Sequence, residues 1–231
     1  MIHGLQKLTL LDFPGYTAAT VFFGGCNFRC PYCQNAGLVL HPENEPSISE
    51  EEILAFLKKR CGLLDGVCIT GGEPTLYPQL PQFLQKIKEL GYLIKLDTNG
   101  SQPEILKSLT EQGLLDYVAM DIKSSPSAYS KSCGLANPDM KAIKESVSFL
   151  MNGTLDYEFR TTVTRELHGE AEFAAIGEWL QGCRRYFLQA YRDSENIIKP
   201  NSFTSYTRKE LEVFAASLQK KIPLTQIRGI D

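Results

Sequence analysis

Three thiols fall within one short run, Gly24-Gly25-Cys26-Asn27-Phe28-Arg29-Cys30-Pro31-Tyr32-Cys33, at C-x3-C-x2-C spacing. Clustered thiolates hold either zinc or an iron–sulfur cluster. A closed zinc site needs a fourth ligand, and the nearby candidate is His41. Ordinary cubane clusters also take four cysteines, whereas a cluster held by Cys26, Cys30 and Cys33 alone leaves one iron open. An open coordination position is where a metal site does chemistry. Gly24 and Gly25 let the backbone fold closely around the sulfurs, and Pro31 stiffens the turn between the second and third.

More reactive residue types recur at the ends of apolar runs. Gly71-Gly72-Glu73-Pro74 follows one run, Asp97-Thr98-Asn99-Gly100 ends the next, and Asp121-Ile122-Lys123 ends a third. Gly71 and Gly72 remove side chains where a ligand could lie against the backbone, and Glu73 is a candidate to support an ammonium group or the neighbouring backbone. Asp97 is costly unless paired, so it reads as a ligand contact or a loop anchor. Asp121 and Lys123, two apart on a strand, share a face; an ordinary ion pair is the plain alternative. Arg160 lies inside an alternating run where an unpaired cation is expensive. It either binds a ligand carboxylate or is neutralised by Asp97 or Asp121. Gln189 is a weaker candidate of the same kind.

The elements that must position these groups follow from periodicity. Strands are expected over 5–11, 18–23, 66–70, 93–96, 117–120, 157–163 and 185–190, with a closing one near 224–227. Helices are expected between them. Ser49 with Glu52 forms a capping box, Gly91 and Gly113 stop two helices, and Pro103 opens one. Asn137-Pro138 begins another, residues 34–46 read as irregular, and 191–207 as a long polar loop. Alternating strands and helices demand a parallel sheet with right-handed crossovers. About six βα units, where a closed barrel has eight, predict an α/β partial (β/α)6 TIM-type barrel open on one side. One domain spans 1–231, with an N-terminal extension of about 1–16, a core of about 17–190 and a C-terminal loop and helix of about 191–231. The chemistry-bearing motifs then fall at successive C-terminal strand ends, where such folds carry their sites.

Composition bounds the partners. A net charge of −3 gives no footprint for nucleic acid. No apolar run approaches the roughly 20 residues of a membrane span. Seven cysteines, an odd count, without a secretory signal argue for a reducing, cytoplasmic compartment. Cys61, Cys68, Cys133 and Cys183 are isolated; Cys68 reads as core and Cys133 as possible surface. His3, His41 and His168 read as surface or packing residues, and Trp179 as core.

Taken together, the cysteine spacing with an aromatic before the last thiol and the Gly-Gly-Glu-Pro motif resemble the radical S-adenosylmethionine (SAM) enzymes. With Gly4 to Gly15, Asp97 to Gly100 and Met120 to Lys123 added, the whole chain resembles the glycyl-radical-enzyme activases. Within them it is most similar to the activating proteins of anaerobic ribonucleoside-triphosphate reductase. The resemblance implies one 4Fe–4S cluster on Cys26, Cys30 and Cys33, with SAM bound at the open iron. It places Tyr32 near adenine, the Gly71-Gly72-Glu73 motif at the SAM amino group and Asp121 with Lys123 as a SAM-binding pair. Asp97 is matched to the methionyl end and a monovalent-cation site, and Arg160 more loosely to the carboxylate. It further implies reductive SAM cleavage to a 5′-deoxyadenosyl radical, hydrogen abstraction from a partner's glycine, and a flavodoxin or ferredoxin-type electron donor. Loop 191–207 and the open barrel side are the expected docking surface, so loop replacement should spare SAM cleavage. Two alternatives stand beside this: a radical SAM enzyme acting on another glycyl-radical enzyme or a small molecule, and a zinc-binding non-enzyme.

Overall fold

A computed structural model describes residues 1–230. Eight strands follow one another in the sheet in chain order, so the expected α/β class holds. They are β1 (Ile2–Thr9), β2 (Ala18–Phe23), β3 (Gly66–Gly71), β4 (Leu93–Thr98), β5 (Tyr117–Asp121), β6 (Asp156–Val163), β7 (Tyr186–Ala190) and β8 (Thr225–Arg228). The chain folds as two compact units. One comprises Met1–Asn27, Gly37–Ala119 and Thr154–Asp156; the other comprises Phe28–Ala36, Met120–Gly153 and Tyr157–Asp231.

In the first unit β1 runs antiparallel to β2, and β2, β3 and β4 are parallel. In β3, Val67, Cys68 and Ile69 are fully buried on both faces, as parallel sheets covered by helices require, while β4 buries Ile94 and Leu96 on one face and turns Lys95 and Asp97 to the other. Strand β1 begins three residues earlier than its composition suggests, because pairing sets Ile2 opposite Phe23. The turn after β1 buries Phe13, which packs edge-on against Tyr16 at 5.0 Å and against Tyr117 at 6.1 Å. Helix α1 (Ala36–Leu40) occupies part of the stretch read as irregular. Helix α2 (Glu50–Lys58) carries the expected Ser49–Glu52 capping box. Helices α3 (Leu80–Glu89) and α4 (Pro103–Glu111) end before Gly91 and Gly113, both at positive φ.

In the second unit β6, β7 and β8 are parallel, with Phe159 opposite Tyr186 and Tyr186 opposite Thr225. Between β5 and β6 lie the short α5 (Tyr129–Cys133), which the sequence pattern does not reveal, and α6 (Met140–Asn152). Helix α6 starts after Asn137-Pro138 because Asp139 caps it, its carboxylate accepting from the Lys141 and Ala142 N–H groups. Helix α7 (Glu170–Trp179) and α8 (Arg208–Gln219) complete the unit; Trp179 is only half-buried, edge-on to Tyr129. Among the described residues no helix is long and apolar enough to cross a membrane.

The Asp139 cap satisfies two of the four N–H groups that a helix start leaves open. Replacing it by Ala is expected to cost about 1 kcal/mol, read as a lower urea midpoint at unchanged slope.

Candidate functional site

Each unit holds its own part of the cysteine loop. In the first unit the Gly72 N–H donates to Phe23 O at 2.7 Å and the Glu73 N–H to Gly25 O at 2.8 Å. Gly71 has φ +115°, and a Cβ on Gly72 would stand 2.0 Å from Gly25 O. Gly72 is therefore required by the approach of the cysteine loop's own backbone, and Gly71 by its φ and by the backbone of Phe23 in β2, tighter reasons than room for a ligand. Glu73 is 1% exposed. Its carboxylate accepts from Asn99 N at 2.6 Å, Thr98 Oγ1 at 2.8 Å, and both the N–H and the hydroxyl of Thr75. Burial still pushes its carboxyl up, with those four donors working against the rise. Of its two sequence-derived roles, Glu73 fills the backbone one. Asn99 in turn donates to Asn27 Oδ1 at 2.9 Å and faces Cys26 Sγ at 3.8 Å.

Asp97 is paired as its cost demanded. Its carboxylate takes the Lys95 ammonium and, at 3.0 Å, the Thr70 hydroxyl. Lys95 is 2% exposed and also faces Cys68 Sγ at 3.7 Å. Sequence reading missed Lys95, although the period of two put it on the same face as Asp97.

In the second unit Asp121 is flanked by two cations, Arg160 Nε at 2.5 Å and Lys123 Nζ at 2.9 Å. Burial works to raise the Asp121 carboxyl, but the Arg160 and then the Lys123 charge outweigh it and hold it well below the usual range. Burial likewise opposes the Lys123 ammonium, and the Asp121 charge overcomes it, pushing Lys123 up. Arg160 pairs with Asp121, one of the alternatives its position in the strand left open. Tyr32 is buried with no hydrogen-bond partner on its hydroxyl, and burial followed by the Cys30 charge pushes its pKa well up. Gln189 is half-buried in β7, opposite Thr162 and Arg228.

Two further segments grip the second half of the cysteine loop. The Arg29 N–H donates to Cys133 O at 2.9 Å, and a Cβ on Gly134 (φ +71°) would stand 2.0 Å from Arg29 O. Cys133 is fully buried, against its reading as surface. From the polar loop, Ile198 N donates to Cys33 O at 3.2 Å and Lys199 N to Pro31 O at 2.8 Å. Asn196 O accepts from Ala36 N at 3.1 Å, and Phe203 packs edge-on to Tyr32 at 6.1 Å. The loop 191–207 thus supports the cysteine loop, so its replacement is expected to lower SAM cleavage as well, where the sequence alone led to the expectation that cleavage would be spared.

None of the seven cysteines is in a disulfide; Cys30 is buried, Cys26 and Cys33 half-buried. Among the described residues no group of three His, Cys, Asp or Glu side chains meets the geometry of a formed metal site. His41, the candidate fourth zinc ligand, is exposed and lies 3.3 Å from Glu43. The donor chemistry fits an iron–sulfur group: three thiols in one loop, each stretch of that loop held by main-chain hydrogen bonds.

Comparison with known proteins agrees. Residues 20–164 match the profile of the Radical SAM superfamily, and the chain belongs to that superfamily. A Methanocaldococcus jannaschii protein, assigned provisionally as a glycyl-radical enzyme activating enzyme, is 30% identical over 202 residues. That match covers 84% of this chain and 81% of the relative. The 7-carboxy-7-deazaguanine synthase of Haemophilus influenzae is 34% identical over 125 residues, only 52% of this chain and 50% of the relative. Among solved structures, Streptococcus suis SuiB bound to S-adenosylmethionine superposes with a TM-score of 0.70 at 13% identity, over 91% of this chain and 52% of that one. The superfamily implies a 4Fe–4S cluster and SAM.

Two outcomes test the supports. Gly72→Ala should push the Gly25–Cys26 backbone away from residue 72, and iron and sulfide content after anaerobic reconstitution should fall severalfold. Exchanging 194–201 for a Gly-Ser segment should lower cluster content and SAM cleavage together; cleavage left intact would show that Cys33 needs no such support.

Proposed function

We propose that this chain activates a glycyl-radical enzyme, with an anaerobic ribonucleoside-triphosphate reductase as the partner. The observation that carries the reading is the match to the Methanocaldococcus jannaschii protein, which runs through four fifths of both chains. The match to the deazaguanine synthase, by contrast, stops at about half of each. The reductase as partner rests on the resemblance of Gly4 to Gly15 and the later motifs to its activating proteins.

In this reading Cys26, Cys30 and Cys33 hold the 4Fe–4S cluster, leaving one iron to SAM. When bound, cluster and SAM supply a 5′-deoxyadenosyl radical able to take a hydrogen atom from a glycine α-carbon. The chain's own residues bind and orient. Gly71, Gly72 and Glu73 present main-chain groups to the SAM ammonium, and Asp121 with Lys123 offers a fixed anion and cation. Arg160 keeps Asp121 ionised, and Tyr32 lends its ring face to adenine. Asp97 faces the methionyl end; the Lys95 ammonium already beside it supplies the positive charge otherwise sought from a monovalent cation. A cytoplasmic location and a flavodoxin or ferredoxin-type donor complete the proposal.

The test is anaerobic. Protein reconstituted with iron and sulfide and then reduced should release 5′-deoxyadenosine from SAM, and Cys30→Ala should release none. Mixed with the purified reductase, it should generate the electron paramagnetic resonance doublet of a glycyl radical. SAM cleavage without that doublet would sink the partner; a zinc-loaded protein that never cleaves SAM would sink the chemistry.

A further inference from the structure

The segment Asp121-Ile122-Lys123 has all three of its main-chain carbonyls engaged by side chains of the same unit. Tyr129 Oη donates to Asp121 O at 3.4 Å, and Thr161 Oγ1 to Ile122 O at 2.7 Å. The Thr161 hydroxyl itself accepts from Tyr186 Oη at 2.7 Å. The third carbonyl, Lys123 O, lies 2.9 Å from Nε2 of His168, which is 1% exposed. Nδ1 of the same ring is 3.2 Å from the Thr164 N–H and can only accept from it. The proton of a neutral imidazole therefore resides on Nε2 and is donated to Lys123 O. Phe173 stacks against the ring at 6.1 Å between centroids, and Tyr206 Oη donates to His168 O at 2.6 Å.

Of these three anchors only the imidazole changes protonation near neutrality. A second proton would go to Nδ1, where it would confront the Thr164 N–H donor. The ring would have to shift, and Lys123 O would lose its partner. We propose that His168 is a positioning residue, holding the Lys123 ammonium against Asp121 through the Lys123 carbonyl and setting the acid limit of SAM binding at that pair.

The surroundings favour the neutral ring. Burial lowers the His168 pKa, with the two hydrogen bonds and the Glu172 carboxylate of α7 working the other way. The other charged or titratable groups of the packed elements are Lys123 and Asp121 from β5 and its end, Tyr206 from the polar loop, and Arg165 beside the histidine. Arg165 is turned to Glu210 of α8 at 2.8 Å. Because the folded pKa lies below the unfolded value of about 6.5, the contribution is complete above that pH and is lost as pH falls toward the folded value.

The inference rests on reading Asp121 and Lys123 as SAM contacts. Equilibrium dialysis of SAM against the reconstituted protein reads binding alone, so a failure of glycyl-radical formation does not enter the result. As pH is lowered from about 7.5 toward about 5, wild-type affinity should fall progressively, severalfold at the acid end. His168→Gln, which keeps an amide donor for Lys123 O and has no proton to gain, should stay within about twofold. His168→Phe, which keeps ring volume but strands Lys123 O, should bind about tenfold more weakly at pH near 7.5. With only three histidines in the chain, a long-range 1H–15N spectrum should show His168 as the Nε2–H tautomer. The opposite tautomer, an acid loss in His168→Gln equal to wild type, or wild-type protein binding no SAM would each overturn the proposal. A merely structural histidine would lower the melting temperature of both variants and leave the pH profile where it was.

Discussion

A carboxylate carried into the interior of a sheet must be answered there, and the arrangement of both units follows from that demand. In the first, Glu73 is met by four neutral donors drawn from two successive strand-end turns. That gathering ties Asn99 to the same place as the start of the cysteine loop. In the second, Asp121 is met by charge instead, with Arg160 and Lys123 on either side. The first solution fixes backbone; the second keeps a full anion and two cations available to a polar ligand. The two kinds of compensation suit the two tasks, support and recognition.

Much of this was open to reading. Short apolar runs, and an alternating one at 157–163, located the strands, with the start of β1 misplaced by three residues, and the Ser49–Glu52 box and the glycines after α3 and α4 marked helix ends, because each signal is local. The residues that carry chemistry stood out because they break apolar runs at strand ends. Lys95 was hidden for the converse reason: one lysine inside a strand looks like a solvent-facing residue until its neighbour two positions on proves to be its counter-ion. His168 was hidden by distance, since its partner Lys123 lies forty-five positions away and is a main-chain carbonyl, which no side-chain pattern announces. Helix α5 is too short to show a period, and Asn137-Pro138 looked like a helix start by its residue types although the working cap, Asp139, stands one residue further on.

The long polar segment 191–207 is the clearest case in which composition and role diverge. Its polarity suggested a surface waiting for another protein. Its backbone also contributes hydrogen bonds to Pro31, Cys33 and Ala36, and Phe203 packs against Tyr32. A polar loop without periodicity satisfies its main-chain groups wherever it can, and here the available partners belong to the cysteine loop.

The grip on Arg29 has a different kind of consequence. Its N–H is taken by Cys133 O, while Gly134 packs so closely on its carbonyl that any added carbon would collide. Both interactions are written in main chain, and the Arg29 side chain adds a third hold on the loop, its Nη1 donating to Phe28 O at 2.8 Å. Selection for a correctly folded thiol loop therefore presses on Gly134, a residue more than a hundred positions away that carries no chemistry of its own.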